Sequence, residues 1–145
     1  AEESNGPAAA IQLNDANHTI ITGKTSELLG ASSALLLNAL KHLAGIADDV
    51  RMISPTVLEP VCKLKTGALG HRNPRLHTDE VLVALSICAI TDENAQKALD
   101  KLPELKNCEV HTSVILSQTD ERVFRRLGVN LTQEAKYQTS KLYHQ

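Results

Sequence analysis

The densest chemistry in the sequence runs Gly70-His71-Arg72-Asn73-Pro74-Arg75-Leu76-His77-Thr78-Asp79-Glu80. Two arginines supply forked, permanently charged donors that match phosphate or carboxylate. His77 can gain or lose a proton near neutral pH, and Asp79 or Glu80 could orient it. The run leads into an apolar-periodic segment, so it ends at a helix start, where free backbone amides and the helix dipole favour an anion. Arg72, Asn73, Arg75, His77 and Asp79 are therefore candidate ligand-binding residues. The plainer alternative is a solvated loop whose arginines pair with surface acids, or a face that docks another domain.

A second candidate is Thr22-Gly23-Lys24-Thr25-Ser26, because Gly-Lys-Thr ends a P-loop. The full motif needs another glycine five residues before Gly23, and that position is His18. A nucleotide-binding P-loop is excluded. What is left is a strand end and a glycine leading towards a helix, with Lys24, Thr25 and Ser26 placed to hold an anion there. The alternative is that Ser26 caps the helix and Lys24 is solvated. The small residues Gly30-Ala31-Ser32-Ser33-Ala34 allow either close approach of a ligand or, more simply, close packing of a helix.

Metal chemistry finds no pattern. His71 and His77 are six apart, not the i, i+4 spacing of a helical zinc pair. Zinc deaminases need His-x-Glu and a later Pro-Cys-x-x-Cys, whereas His77 is followed by Thr78-Asp79 and Pro60-Val61-Cys62 by no second cysteine. No metal ligand, catalytic residue or cofactor is assigned.

These residues need elements to position them. Residues 8–13 and 18–22 read as a hairpin around the turn formers Asn14-Asp15-Ala16-Asn17. Leu28, Leu29, Leu35, Leu36, Leu40 and Leu43 recur at helical spacing, predicting a helix over 27–44 that ends at Gly45. A short strand is expected at 50–53. Ser54-Pro55 then opens a helix that stops at Gly67. Further helices are expected over 78–90, with Thr78 as its cap, and over 93–102, where Pro103 stops it. Residues 108–116 alternate as a strand, with Cys108, Val110, Thr112, Val114 and Leu116 on one face. Ser117-Gln118-Thr119-Asp120 resembles a capping box opening a helix that ends before Gly128. Strands follow at 129–132 and 135–138. Strands alternating with helices predict an α/β fold with a mixed sheet.

Composition bounds the rest. The 145 residues, 42% hydrophobic, suffice for one domain with its own core. Two Tyr, one Phe and no Trp make that core aliphatic and leave few stacking platforms for single-stranded nucleic acid. A net charge of −2 with no basic half argues further against a nucleic-acid partner. No run reaches membrane-spanning length and no signal peptide opens the chain, so no membrane partner is expected. Cys62, Cys88 and Cys108, odd in number and widely spaced, read as reduced, buried thiols of a cytoplasmic protein. Residues 1–10, small and polar with Gly6-Pro7, read as a linker, and 11–145 as a single domain. A start at Ala1, with Met52 the only methionine, gives the expectation of a domain from a longer protein.

Several of these stretches together resemble a known family: Thr22-Gly23-Lys24-Thr25-Ser26 with the following Leu-Leu-Gly-Ala, the block Asn73-Pro74-Arg75-Leu76-His77-Thr78-Asp79-Glu80-Val81-Leu82, Val114-Ile115-Leu116-Ser117, and the ending Lys141-Leu142-Tyr143-His144. They are similar to the C-terminal region of a bacterial family of uncharacterised proteins, domain of unknown function 1846, also called uncharacterised protein family 0371. The resemblance runs from about Ile11 to the end. It implies a three-layer αβα sandwich, cytidine-deaminase-like in topology without the zinc motif, preceded by other domains in a longer protein. It brings no agreed catalytic residues. Some relatives carry a label of ATP-dependent peptidase, but this chain has neither a P-loop nor His-Glu-x-x-His.

The functional expectation is a domain that contributes to a binding or catalytic site for an anionic small molecule, such as a phosphorylated one, between the Lys24–Ser26 turn and the 72–79 loop. The alternative is an interaction or homo-oligomerisation domain without chemistry of its own, its polar loop docked on preceding domains of the same protein.

Overall fold

The computed structural model describes residues 8–134. Four strands, β1 (Ala8–Gln12), β2 (Ile20–Lys24), β3 (Glu109–Thr112) and β4 (Asn130–Gln133), form one mixed sheet in the order β2-β1-β3-β4. β1 pairs antiparallel with β2 and β3, and β3 runs parallel to β4. Five helices complete the fold: α1 (Ala31–Ala44), α2 (Pro55–Thr66), α3 (Thr78–Cys88), α4 (Glu93–Leu99) and α5 (Gln118–Leu127), with a 3-10 turn at Leu102–Leu105 before β3. The expected strand at 135–138 lies outside the described residues.

Alternation gives the sheet two unlike faces. Ala9, Ile11, Gly23, Val110 and Thr112 are buried on one face, while Gln12, Ile20, Thr22, Lys24, Glu109, His111, Asn130 and Thr132 are exposed on the other. Among the described residues no helix covers that second face. Among the described residues the structure is an α/β fold with a mixed four-stranded sheet and five helices.

The core is aliphatic. Leu13, Leu35, Leu40, Leu85 and Leu105 are fully buried, joined by Phe124, the chain's single phenylalanine. Each such leucine is worth about 2 kcal/mol over an exposed one. α1 lies directly on the sheet at Gly23, where a Cβ would stand 2.3 Å from Leu35 N and 2.6 Å from Ala31 O. That contact explains the small residues at the start of α1: they let helix and strand backbones approach.

Helix ends follow the sequence signals where those signals are local. Gly45 and Gly128 terminate α1 and α5 in the left-handed conformation, with φ of 71° and 84°. Ser54, Asp92 and Ser117 cap α2, α4 and α5 through their side-chain oxygens. α3 is entered one residue earlier than expected, with His77 in the N-cap position.

Three expectations need correction. No strand forms at 50–53: Met52 and Ile53 are buried by packing into the core, not by pairing. β3 stops at Thr112, because Thr112 Oγ1 donates to Val114 O at 2.8 Å and Leu116 N–H donates to the Gln133 side chain at 2.6 Å, bending the chain off the sheet. And α1 starts at Ala31, not residue 27. Leu28 and Leu29 leave the helix to pair with another stretch of chain: Leu29 bridges Leu76 in parallel, and Leu76 N–H donates to Leu28 O at 2.9 Å.

Candidate functional site

That short Leu29–Leu76 bridge brings the two sequence candidates together. Beside it lies a cavity of about 180 Å³. One wall is the segment leaving β2 and entering α1, with Thr25, Gly30, Ala31 and Ser32. The facing wall is Asn73, Arg75, Leu76 and His77. Ala8 and Ala9 of β1, the bend after β3 and Asp120 of α5 close it.

The first wall is a helix N-terminus. Gly30 takes the N-cap position in extended conformation, offers no side-chain cap, and no acid stands in the first turn of α1. The first amides and positive end of this fourteen-residue helix therefore stand at the cavity wall. On the second wall, Arg75 donates from Nε to Ser26 O, which ties one loop to the other. Asn73 Oδ1 accepts from Arg75 N–H at 3.0 Å, shaping the turn. Among the described residues Arg75 forms no ion pair with a carboxylate.

His77 is the titratable group on this wall, with 36% of its side chain exposed. Its Nδ1 lies 3.5 Å from Asp120 Oδ2. Asp120 is buried, and its other oxygen accepts from both Thr78 N–H at 2.9 Å and Thr78 Oγ1 at 2.8 Å. The contact with Asp120 raises the His77 pKa above its ordinary value, against the opposing effect of burial. For Asp120, burial pushes upward, but His77 and the two Thr78 donors prevail and hold the carboxyl below its ordinary value. The imidazole is thus oriented with Nδ1 towards Asp120, and among the described residues Nε2 has no hydrogen-bond partner.

A second buried charge lies under the loop. Lys65 of α2 is 2% exposed, and its ammonium donates to Arg75 O at 2.6 Å and Glu80 Oε1 at 2.8 Å. Glu80 Oε1 also accepts from His77 N–H at 2.8 Å. Burial raises the Glu80 carboxyl, yet these partners together hold it below its ordinary value.

Of the sequence candidates, Thr25, Asn73, Arg75 and His77 line the cavity, and the other four do not. Lys24 is an exposed strand end. Ser26 uses its hydroxyl to accept from Leu29 N–H at 3.2 Å, five residues before the start of the helix it was expected to cap. Arg72 is exposed on the outer side of the loop. Asp79 accepts from Glu80 N–H at 2.8 Å and lies in a groove between α2 and α3. Glu80 forms a reciprocal capping box with His77, its backbone N–H at the His77 side chain and its carboxylate at the His77 N–H, while Asp120 is the carboxylate that faces the ring.

Asp120 and Lys65 were missed by the sequence reading. Asp120 was placed in a capping box, and Ser117 Oγ does accept from its N–H at 3.2 Å, but its carboxylate turns inward. A signal existed for both. Asp120 stands at i, i+4 with buried Phe124, and Lys65 completes the i, i+4, i+7 stripe Leu58, Cys62, Lys65. A charge on the buried stripe of a helix marks an internal partner.

Cys62 and Cys108 are buried free thiols whose pKa burial raises, which makes them poor nucleophiles. Among the described residues no group of three or more His, Cys, Asp or Glu is arranged to hold a metal ion, and no helix is long and apolar enough to cross a membrane.

The fold and cavity define an α/β domain with a small polar cavity walled by a helix N-terminus, an arginine and a histidine–aspartate pair. Comparison with known proteins gives its family: residues 1–143 match the domain of unknown function DUF1846, C-terminal, and the chain belongs to that family. It is 61% identical over 134 residues to a UPF0371 protein of Corynebacterium aurimucosum, covering 92% of this chain and 26% of that protein. It is 58% identical over 142 residues to one from Corynebacterium diphtheriae, covering 98% and 28%. A UPF0371 protein of Clostridioides difficile is 48% identical over 138 residues, covering 95% and 27%. The chain thus spans little more than a quarter of the length of these bacterial relatives, whose names assign no activity.

Proposed function

We propose that this domain contributes a binding site for the anionic head group of a small molecule, a phosphorylated one above all, in the cavity between Thr25–Ser32 and Asn73–His77. The observation that carries the reading is convergence. The start of α1, the Arg75 side chain and the His77–Asp120 pair reach one cavity from three separate parts of the sequence. Amides at a helix start and a guanidinium both favour an anion. Among the described residues the one carboxylate in the wall, Asp120, is already engaged by Thr78 and His77, which offsets the repulsion it would exert. If the site is catalytic, His77 is the group placed to transfer a proton, with Asp120 fixing its tautomer.

The test is thermal shift and calorimetry with inorganic phosphate, nucleotides and phosphorylated metabolites on the wild type and Arg75→Ala. Expected is a stabilised wild type and an Arg75→Ala response reduced at least about tenfold in affinity, in line with loss of a charge-assisted contact. Equal responses, or none from either protein, would remove the site as drawn.

A second reading, docking onto other domains of a longer polypeptide or a second copy, draws on a different surface. Val83 and Ile87 on α3 and Ile90 in the turn just after it are 59%, 52% and 80% exposed. Such a patch is what an interface leaves when its partner is absent. The uncovered face of the sheet is a second place for added chain, and the third layer of an αβα sandwich with deaminase-like topology would belong there. Sedimentation of the wild type against Ile87→Glu tests self-association through α3: a monomer in both cases leaves the neighbouring domain as the partner to examine in the full-length relatives.

A further inference from the structure

Lys65 is the largest fully buried side chain described, and it lies outside the cavity lining. A buried ammonium is costly unless paired, so its partners define its role. They are Arg75 O and the Glu80 carboxylate, and through Glu80 the backbone N–H of His77. Lys65 O also accepts from His71 N–H at 2.7 Å, at the start of the same loop. From the opposite side, Leu76 N–H is held by Leu28 O, and Leu76 O accepts from Ser33 Oγ at 2.8 Å. Residues 75–77 are therefore clamped between α2 and α1, and the two side chains that reach the cavity flank the clamped residue.

We propose that Lys65 is the positioning residue of this cavity: its buried ammonium fixes the backbone of residues 75–77 and so sets where the Arg75 guanidinium and the His77 imidazole stand. For its ligand readout this rests on the anion-site reading; its spectroscopic readout rests on the geometry alone. A lysine that only fastened α2 to α3 would affect stability and leave the His77 ring where it is.

The experiment replaces the pair together, as Lys65→Met with Glu80→Met in the 145-residue chain, so that neither charge is left unpaired. Circular dichroism checks the fold. Imidazole nitrogen shifts of His77, recorded where the ring is neutral, report its tautomer, and calorimetry reports inorganic phosphate. Expected are a folded protein, a His77 ring whose tautomer populations differ from the wild type's, and phosphate binding weakened by about tenfold or more, as when supporting partners of a site are removed. A folded double variant with wild-type tautomer and wild-type phosphate affinity overturns the proposal. A wild type that ignores phosphate removes the anion reading, while the tautomer still decides the role of Lys65. If the double variant does not fold, Lys65→Met alone takes its place, leaving the Glu80 carboxylate, 28% exposed, to water, and an unchanged His77 tautomer there overturns the proposal equally.

Discussion

The two walls of the cavity are built by different means. The wall from Thr25 to Ser32 is a matter of backbone: a stretch leaving β2, a turn closed by Ser26, and a helix start whose N-cap is a glycine. Its position follows from the close contact of β2 with α1 at Gly23. The wall from Asn73 to His77 is held by buried charge, with Lys65 and Glu80 below it and Asp120 beside it. A backbone wall is sensitive to volume and indifferent to pH. A charge-held wall should respond to pH and to isosteric changes that leave volume alone. The contrast can be broken or sharpened by experiment.

The largest effect is expected at the backbone wall. Gly23→Ala puts a methyl group 2.3 Å from Leu35 N, against helix backbone that cannot move aside. A destabilisation of about 4 kcal/mol is expected in urea unfolding, in the exceptional range for a single substitution. A loss below about 1 kcal/mol would mean that α1 and β2 are not locked together there.

The charge wall comes next. Asp120→Asn keeps the shape but weakens the acceptor for Thr78 and His77, and should cost about 2 kcal/mol. It should also bring down the His77 titration midpoint followed by NMR. A midpoint that stays where it is in the variant would show that the pair is not the cause of the shift.

The pH dependence has a definite sign. His77, raised on folding, stabilises at pH below its unfolded value of about 6.5, and this contribution is lost as pH rises through its higher folded value. Asp120, lowered on folding, stabilises above an unfolded value of about 3.9, and is lost as pH falls through its lower folded value. The pair therefore contributes fully between about pH 4 and 6.5. The stability difference between wild type and Asp120→Asn should be widest there and narrow above neutrality. A difference flat with pH would contradict it.

The smallest effects belong to residues that the sequence put in the site and the fold left outside. Lys24→Ala and Arg72→Ala, both at exposed positions, should each change stability by less than about 0.5 kcal/mol and leave phosphate binding within twofold or so. A large loss of binding at either would redraw the cavity wall.

The sequence made some of this legible. The hairpin, the order of helices, the left-handed glycines closing α1 and α5 and the half-buried alternation of β3 all follow from local patterns that act over a few residues. So does the family resemblance. Other features depend on partners far along the chain. Leu28 and Leu29 have helical spacing, yet they serve a bridge to Leu76, some fifty residues on, and that bridge joins the two walls. Asp120 reads as a local cap until Thr78 and His77 arrive beside it. Lys65 reads as a basic residue in the last turn of its helix, suited to the dipole, until the fold buries it.

What the sequence determined by itself was which residues had chemistry to offer, because side-chain chemistry and short-range periodicity travel with the chain. What only the tertiary structure decided was which of them meet. Thr25, Asn73, Arg75 and His77 share a cavity, while Lys24, Ser26, Arg72 and Asp79 turn away, and two buried charges that no local pattern assigned to the site, Asp120 and Lys65, hold the meeting place together. The physical reason is that desolvation and long-range pairing set the worth of a charge, and neither exists until the chain has closed on itself.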